Sequence, residues 1–340
     1  MPRGSVPGWH LHRALNPGDR SSVPSTPLSR RLPIPVALCA LLAACSESSR
    51  APAVPSDVVL VASSDAALDV GPLRACPGAA LADGLSCEVL GGSLAAPRDV
   101  WITRDGTIYV TEMGDGAIVR LEGDRFVAVA TGLMGPIGLR EAPDGALLVG
   151  EEGGRSVSRV DRSTGARTLL AGDLGAVTYL ALDASGAVYV SSFDNLGPFG
   201  TGRVTRIDPV TREATRFATG LNVPEGLFLD ASGALFVAEW ESPSSVRRFA
   251  PGGGPVGTSV VVTAGLTNVY GLLPDGAGGL FVGDHAGRVL HQRADATSEV
   301  VIDHIGRPGG MARAADGALL ITEFVDFGAR GRLFRVTGLR

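Results

Sequence analysis

Lysine is absent from all 340 residues, which removes a Schiff-base amine from the available catalysts. A basic field is missing too. The formal charge is −5, and it falls to −9 once residues 1–44 take away five Arg and one Asp, so nucleic acid is not an expected partner. Cysteine is scarce at four residues, and neither Cys-x-x-Cys nor Cys-x-x-Cys-His occurs, which argues against a zinc or haem site built on thiols. Gly-x-Ser-x-Gly, a phosphate-binding Gly-x-x-x-x-Gly-Lys and His-Glu-x-x-His are also lacking. The run Gly252-Gly253-Gly254 has no strand-to-helix context and reads as a connector. Stretches suited to long helices are missing as well, because 47 Gly and 22 Pro interrupt the chain with tight turns.

From Pro97 onward one unit repeats six times. Each has a small-residue opening, an apolar run, a turn, and a second apolar run that ends in Val or Ile and is usually followed by an acid. The turns are Asp105-Gly106, Asp144-Gly145, Ser185-Gly186, Ser232-Gly233, Gly278-Gly279 and Asp316-Gly317, spaced by 39, 41, 47, 46 and 38 residues. Runs such as Ile108–Val110, Val188–Val190 and Leu280–Val282 are too short for helices and rich in β-branched and aromatic residues. A period near 40 with about four short strands per unit predicts an all-β, six-bladed propeller. The sixth unit ends after its third strand, Arg332–Val336. The segment Cys87–Leu94 supplies the missing outer strand and closes the ring within one domain, residues 87–340.

The first residues read differently. Arg30-Arg31 precedes an apolar run, Leu32–Ala44, too short to span a bilayer but suited to a signal-peptide core. Residues 1–44 are read as that signal, with 1–29 an overextended start. Leu42-Ala43-Ala44-Cys45 resembles the bacterial lipobox, and this resemblance implies a lipid on Cys45, a Pro- and Ser-rich tether over 45–56 and, since Ser46 is not Asp, a place in the bacterial envelope at the outer membrane, facing the periplasm or the surface. In an exported chain Cys76 and Cys87 most simply form a disulfide, closing a short loop between an N-terminal extension, 57–86, and the closing strand. A monomer is expected.

Two series face the propeller axis. The residue before each opening position gives Arg98, Ile137, Thr178, Glu225, Tyr270 and Gly309. The ends of the second strands give Glu112, Glu151, Ser192, Glu239, Asp284 and Glu323. The second series invites a cation, yet an acid recurring in five of six blades is better explained as tying the adjacent turn through backbone N–H groups. Features confined to one blade are stronger candidates for recognition: Asp194-Asn195 in the loop Ser192–Arg203, Trp240, His285 beside Asp284, and Phe324 with Asp326. Both Trp240 and Phe324 also suit rim packing, and Trp101 suits the core. His285 is a weak candidate for general base or ligand, and His291 and His304 form no metal motif with it.

Pro224-Glu225-Gly226-Leu227, running through Asp230-Ala231-Ser232-Gly233 to Leu235-Phe236-Val237-Ala238-Glu239, resembles the repeats of the NHL-repeat and gluconolactonase-like (senescence marker protein, strictosidine synthase-like) propellers. The resemblance covers about 240 residues. It implies the fold, while such folds host hydrolases, lyase-like enzymes and binding modules alike. The lactonase members hold a divalent metal with Glu, Asn and Asp on the axis, and only Glu225 matches here. Arg98 opposes a cation, and across the ring it is placed to pair with Glu225. The expected function is therefore a lipid-anchored, non-catalytic envelope propeller that binds a ligand or protein on its axial face. The alternative is a gluconolactonase-like hydrolase of lactones or esters using Ca2+ or another divalent cation, held by Glu225, Glu239 and Asp284, with His285 nearby. A third class is a structural scaffold.

Overall fold

The computed structural model describes residues 76, 79–194, 200–241, 244–325 and 330–339. The expectations for the signal segment, Cys45, the tether, Asn195 and Asp326 lie outside those residues. Six blades each contain four antiparallel strands: 97–130, 136–171, 176–221, 224–264, 269–303, and 307–337 completed by Ser86–Ala95; the short strand Gly254–Pro255 adds a parallel fifth strand to the third blade. Among the described residues the only helix is the short turn Val256–Thr258.

The second strand of each blade carries the core. Val110, Val149, Val190, Val237, Val282 and Ile321 are the Val or Ile closing each predicted run, and all are fully buried. Each such side chain contributes roughly 1.5–3 kcal/mol by leaving water, so the repeat in sequence is a repeat in burial. The blade turns hold glycine at positive φ, +84° at Gly106 and +86° at Gly317. In blade five that role falls to Gly278 at +93°, with Gly279 following it, so the spacings on either side of this turn are one residue from those read on Gly279.

Closure follows the expectation. Ser86–Ala95 pairs with Arg330–Thr337, from Ser86 opposite Thr337 to Ala95 opposite Arg330. The bonded cysteines Cys76 and Cys87 have Cα atoms 5.5 Å apart, a normal separation for a disulfide, and fasten the start of this strand to the preceding segment. That segment continues as Ala80–Leu81, which pairs with the outer strand Ser298–Asp303 of blade five and covers its exposed edge.

One irregularity recurs in every blade and positions the site. The pairing of first and second strands slips between Pro97 and Val100, and at the same place in the other five blades. Each slip is a bulge of two residues, which re-aims side chains. The first bulge residues are Arg98, Ile137, Thr178, Glu225, Tyr270 and Gly309, the predicted axial series. The second residue abuts the next blade. A Cβ on Gly226 would lie 2.2 Å from the Tyr270 carbonyl oxygen, and one on Gly271 2.1 Å from that of Gly309. Where this residue is not glycine it bonds instead. Asp99 accepts from the Leu139 N–H at 2.9 Å and from Arg140 at 2.7 Å, and the Tyr179 hydroxyl donates to the Arg98 carbonyl at 3.2 Å.

Candidate axial site

The acids that end the second strands tie down the chain segments that lead into their blades. Glu112 accepts from the Ala95 N–H at 2.7 Å, Glu151 from that of Met134 at 2.7 Å, Glu239 from that of Asn222 at 2.9 Å, and Asp284 from that of Thr267 at 3.1 Å. Arginines take up further oxygens: Arg247 on Glu239, Arg288 on Asp284, and Arg332 in a two-pronged contact with Glu323 at 2.6 and 2.8 Å. Glu239 and Asp284 are thus engaged in local ties, and among the described residues no group of three His, Cys, Asp or Glu gathers to hold a metal. Thr178 is likewise occupied, its hydroxyl donating to the Pro224 carbonyl at 2.7 Å. Asp194 lies half-exposed in an ion pair with Arg203 at 2.8 Å.

What converges is a smaller set. Arg98, Glu225, Tyr270, Trp240 and Phe324 line one axial pocket together with Met113, Glu152, Phe193 and Val223. Trp240 and Phe324 therefore contribute to a cavity, beyond packing the rim. Arg98, only 5% exposed, places its guanidinium 4.6 Å from the Tyr270 ring centre and 4.4 Å from that of Phe324. Its Nη2 donates to the Tyr270 hydroxyl at 2.8 Å. The pairing with Glu225 expected across the ring is replaced by this one, and both Arg98 Nε and Glu225 Oε2 are buried without a partner. Behind Tyr270 the His285 ring stacks at 4.2 Å and 8°.

Electrostatics follows from burial. Desolvation raises the Glu225 carboxyl to about 8, with Arg98 partly opposing and Glu152 adding to the rise. His285 is depressed to about 3, first by burial and then by Arg98 and Arg307. Burial works against the Arg98 charge, yet Tyr270, Glu225 and Tyr179 outweigh it and hold its pKa above the usual value. Near neutral pH the site therefore contains a fixed cation beside a carboxyl that is largely protonated and titrates close to physiological pH.

Met113, Glu152 and Phe193 escaped the sequence reading, although a signal existed. Together with Trp240, His285 and Phe324 they occupy the position just after the second-strand acid (or Ser192) in blades one to six. The acids drew attention to the right strand ends, one residue short of the wall.

Neither the known family models nor the curated proteins include a match to this chain. Solved structures do match. A gluconolactonase from Xanthomonas campestris has a TM-score of 0.67 at 17% identity, over 78% of this chain and 97% of that one. Regucalcin from Agrobacterium tumefaciens, a calcium-binding protein, has 0.60 at 16%, over 73% and 93%. A PQQ-bound aldose sugar dehydrogenase from Streptomyces coelicolor has 0.60 at 15%, over 76% and 100%. These relationships correct the expectation of a non-catalytic binder, since the structures sharing this architecture include a gluconolactonase and a sugar dehydrogenase. At these identities the likeness is one of fold: the chain has the six-bladed architecture of gluconolactonases, regucalcin and sugar dehydrogenases.

Proposed function

We propose that the protein is a lactonase-like hydrolase of cyclic or open-chain esters, working through Glu225 and Arg98 at the axis. The observation that carries this reading is the pair of buried, unpartnered atoms, Glu225 Oε2 and Arg98 Nε, on one pocket. A carboxyl titrating near 8 is matched to proton transfer at physiological pH. In its ionised form Glu225 takes a proton from water as the water oxygen bonds to the substrate carbonyl carbon. The electron pair displaced onto the carbonyl oxygen meets the Arg98 N–H, a preorganised donor held in a buried position. Collapse of the tetrahedral species breaks the bond to the ester oxygen, which receives the proton back from Glu225. The products are a carboxylic acid and an alcohol, joined in one molecule when the substrate is a lactone.

A divalent cation of the kind the calcium-binding neighbour carries does not suit the donor set. Such an ion takes about six to eight oxygen ligands. Here Glu225 is the only ring carboxylate, Arg98 brings a positive charge, Ile137 and Gly309 offer no side-chain donor, and Glu239 and Asp284 are bound to arginines. No step is routed through a metal. An envelope location with a lipid on Cys45 belongs to the same proposal and rests on Leu42–Cys45; palmitate labelling lost in Cys45→Ala tests it.

The test of the reaction is hydrolysis by the purified protein of a panel of lactones and aryl esters, with and without EDTA. Activity that survives EDTA and falls by about 100-fold or more in Glu225→Gln supports the assignment. A panel without turnover, or a variant with undiminished rate, refutes it.

A further inference from the structure

The pocket encloses about 180 Å³. That is close to the roughly 150 Å³ that accommodates benzene, and below the range of about 300–1,000 Å³ usual for larger ligands. It is therefore a one-ring site. Six of its nine lining residues, Met113, Phe193, Val223, Trp240, Tyr270 and Phe324, present apolar or aromatic surface. Partnerless buried polar atoms on it are few: Arg98 Nε and Glu225 Oε2, which the hydrolase reading uses at the carbonyl, and Trp240 Nε1. A polyhydroxylated ring would find only the Trp240 N–H and the Glu152 carboxylate for its several hydroxyls, and the hydrogen bonds left unmade oppose binding.

The aromatic groups are also ordered relative to one another. Tyr270, His285 and Phe324 lie nearly parallel, with interplanar angles of 8°, 17° and 11°. The Arg98 guanidinium sits over two of these rings. An aromatic ring entering the pocket meets aromatic and apolar side chains, with the cation packed against two of them.

We propose that the axial pocket selects esters and lactones carrying one apolar aromatic ring, phenyl esters and benzo-fused lactones, over polyhydroxylated sugar lactones. This specificity rests on the hydrolase reading for turnover, while the shape and polarity of the pocket make a binding claim that stands without it.

The experiment therefore has two arms. In the first, 3-(2-hydroxyphenyl)propionate and gluconate, the acids released from dihydrocoumarin and glucono-1,5-lactone, are titrated calorimetrically into wild type, Glu225→Gln and Trp240→Phe. In the second, kcat/KM is compared for dihydrocoumarin, phenyl acetate and glucono-1,5-lactone. We expect the aryl acid to bind at least about tenfold more tightly than gluconate, a difference of about 1.4 kcal/mol, and the aryl substrates to lead in kcat/KM by a similar factor. Phe324→Leu, checked for an unchanged unfolding midpoint, should lower the aryl kcat/KM through KM. Aryl-acid binding without hydrolysis of any substrate upholds the pocket's selectivity and overturns the hydrolase reading. Equal or preferential use of the sugar lactone overturns the selectivity and leaves the hydrolase standing. Failure of the aryl acid to bind overturns the selectivity whatever the turnover.

Discussion

Arg98 of blade one and Tyr270 of blade five are joined by a 2.8 Å hydrogen bond from Nη2 to the phenol oxygen, a link between blades two places apart in the ring. The cation is thus held by a neutral hydroxyl and by the faces of two aromatic rings.

Tyr270→Phe keeps the ring and deletes the acceptor. Since Arg98 Nε already lacks a partner, the loss falls on a buried charge, and a hydrogen bond to a charged group contributes about 1.5–3 kcal/mol. Urea unfolding should show a loss of that order. An unchanged midpoint would mean that the guanidinium finds other partners on its own.

Stability should form a plateau in pH. Glu225 rises from 4.5 to about 8 on folding, so the native state binds the extra proton between those values, and the stability this confers below pH 4.5 is lost as pH climbs toward 8. His285 falls from 6.5 to about 3, so its contribution is complete above pH 6.5 and is lost as pH drops toward 3. The two slopes cancel between 4.5 and 6.5. Glu225→Gln should abolish the alkaline decline, worth about 2 kcal/mol over the span from pH 6.5 to about 8 that the His285 slope does not cancel. Thermal unfolding across pH 4–9 reads this directly, and parallel curves for the two proteins would exclude Glu225 as its source.

The bulges leave no room for a methyl group. Gly226→Ala places carbon 2.2 Å from the Tyr270 carbonyl oxygen, and forcing blades four and five apart should cost about 3 kcal/mol. Gly106→Ala meets nothing within 4 Å but must hold φ at +84°, a strain of about 1 kcal/mol. The order of the two chemical-denaturation midpoints tests whether inter-blade contact or backbone conformation dominates.

Glu239 separates a tie from a ligand. Its oxygens take the Asn222 N–H at 2.9 Å, the Ser245 hydroxyl at 2.9 Å and the Arg247 guanidinium. Glu239→Ala should destabilise by about 3 kcal/mol, since it strands a partly buried arginine. Calcium should shift neither the wild-type nor the variant melting curve; a wild-type shift erased by the substitution would restore Glu239 as a metal ligand.

Much of the architecture was legible because one physical demand recurs six times: a β-branched residue in the middle of each second strand must be buried, and the glycine before it must turn the chain. Even the seam between Cys87–Leu94 and Arg332–Val336 could be read, since an open edge has to be paired. Gly278 and Gly279 could not be ranked in sequence, because either supplies the required freedom. The residues read as the axial series are the first residues of the six bulges, and three of them, Arg98, Glu225 and Tyr270, line one pocket. Partner choice was another matter. The axial series offered Arg98 both a carboxylate and a phenol, and the hydrogen bond it makes is to Tyr270. Met113 and Phe193 were hidden for a further reason: the wall position repeats in register but not in residue type, so no pattern of amino acids marks it.

The pairing of Ser86 with Thr337 at one end of the closing ladder and of Ala95 with Arg330 at the other has a mechanical consequence. The start of one strand and the end of the other lie side by side. Tension applied between them loads the hydrogen bonds one pair at a time and peels the seam like a zip from Ser86 inward, where strands pulled in opposite directions along their length would resist together. Heat must disorder six cores to open this ring, whereas a modest pull on its two ends needs to part a single ladder.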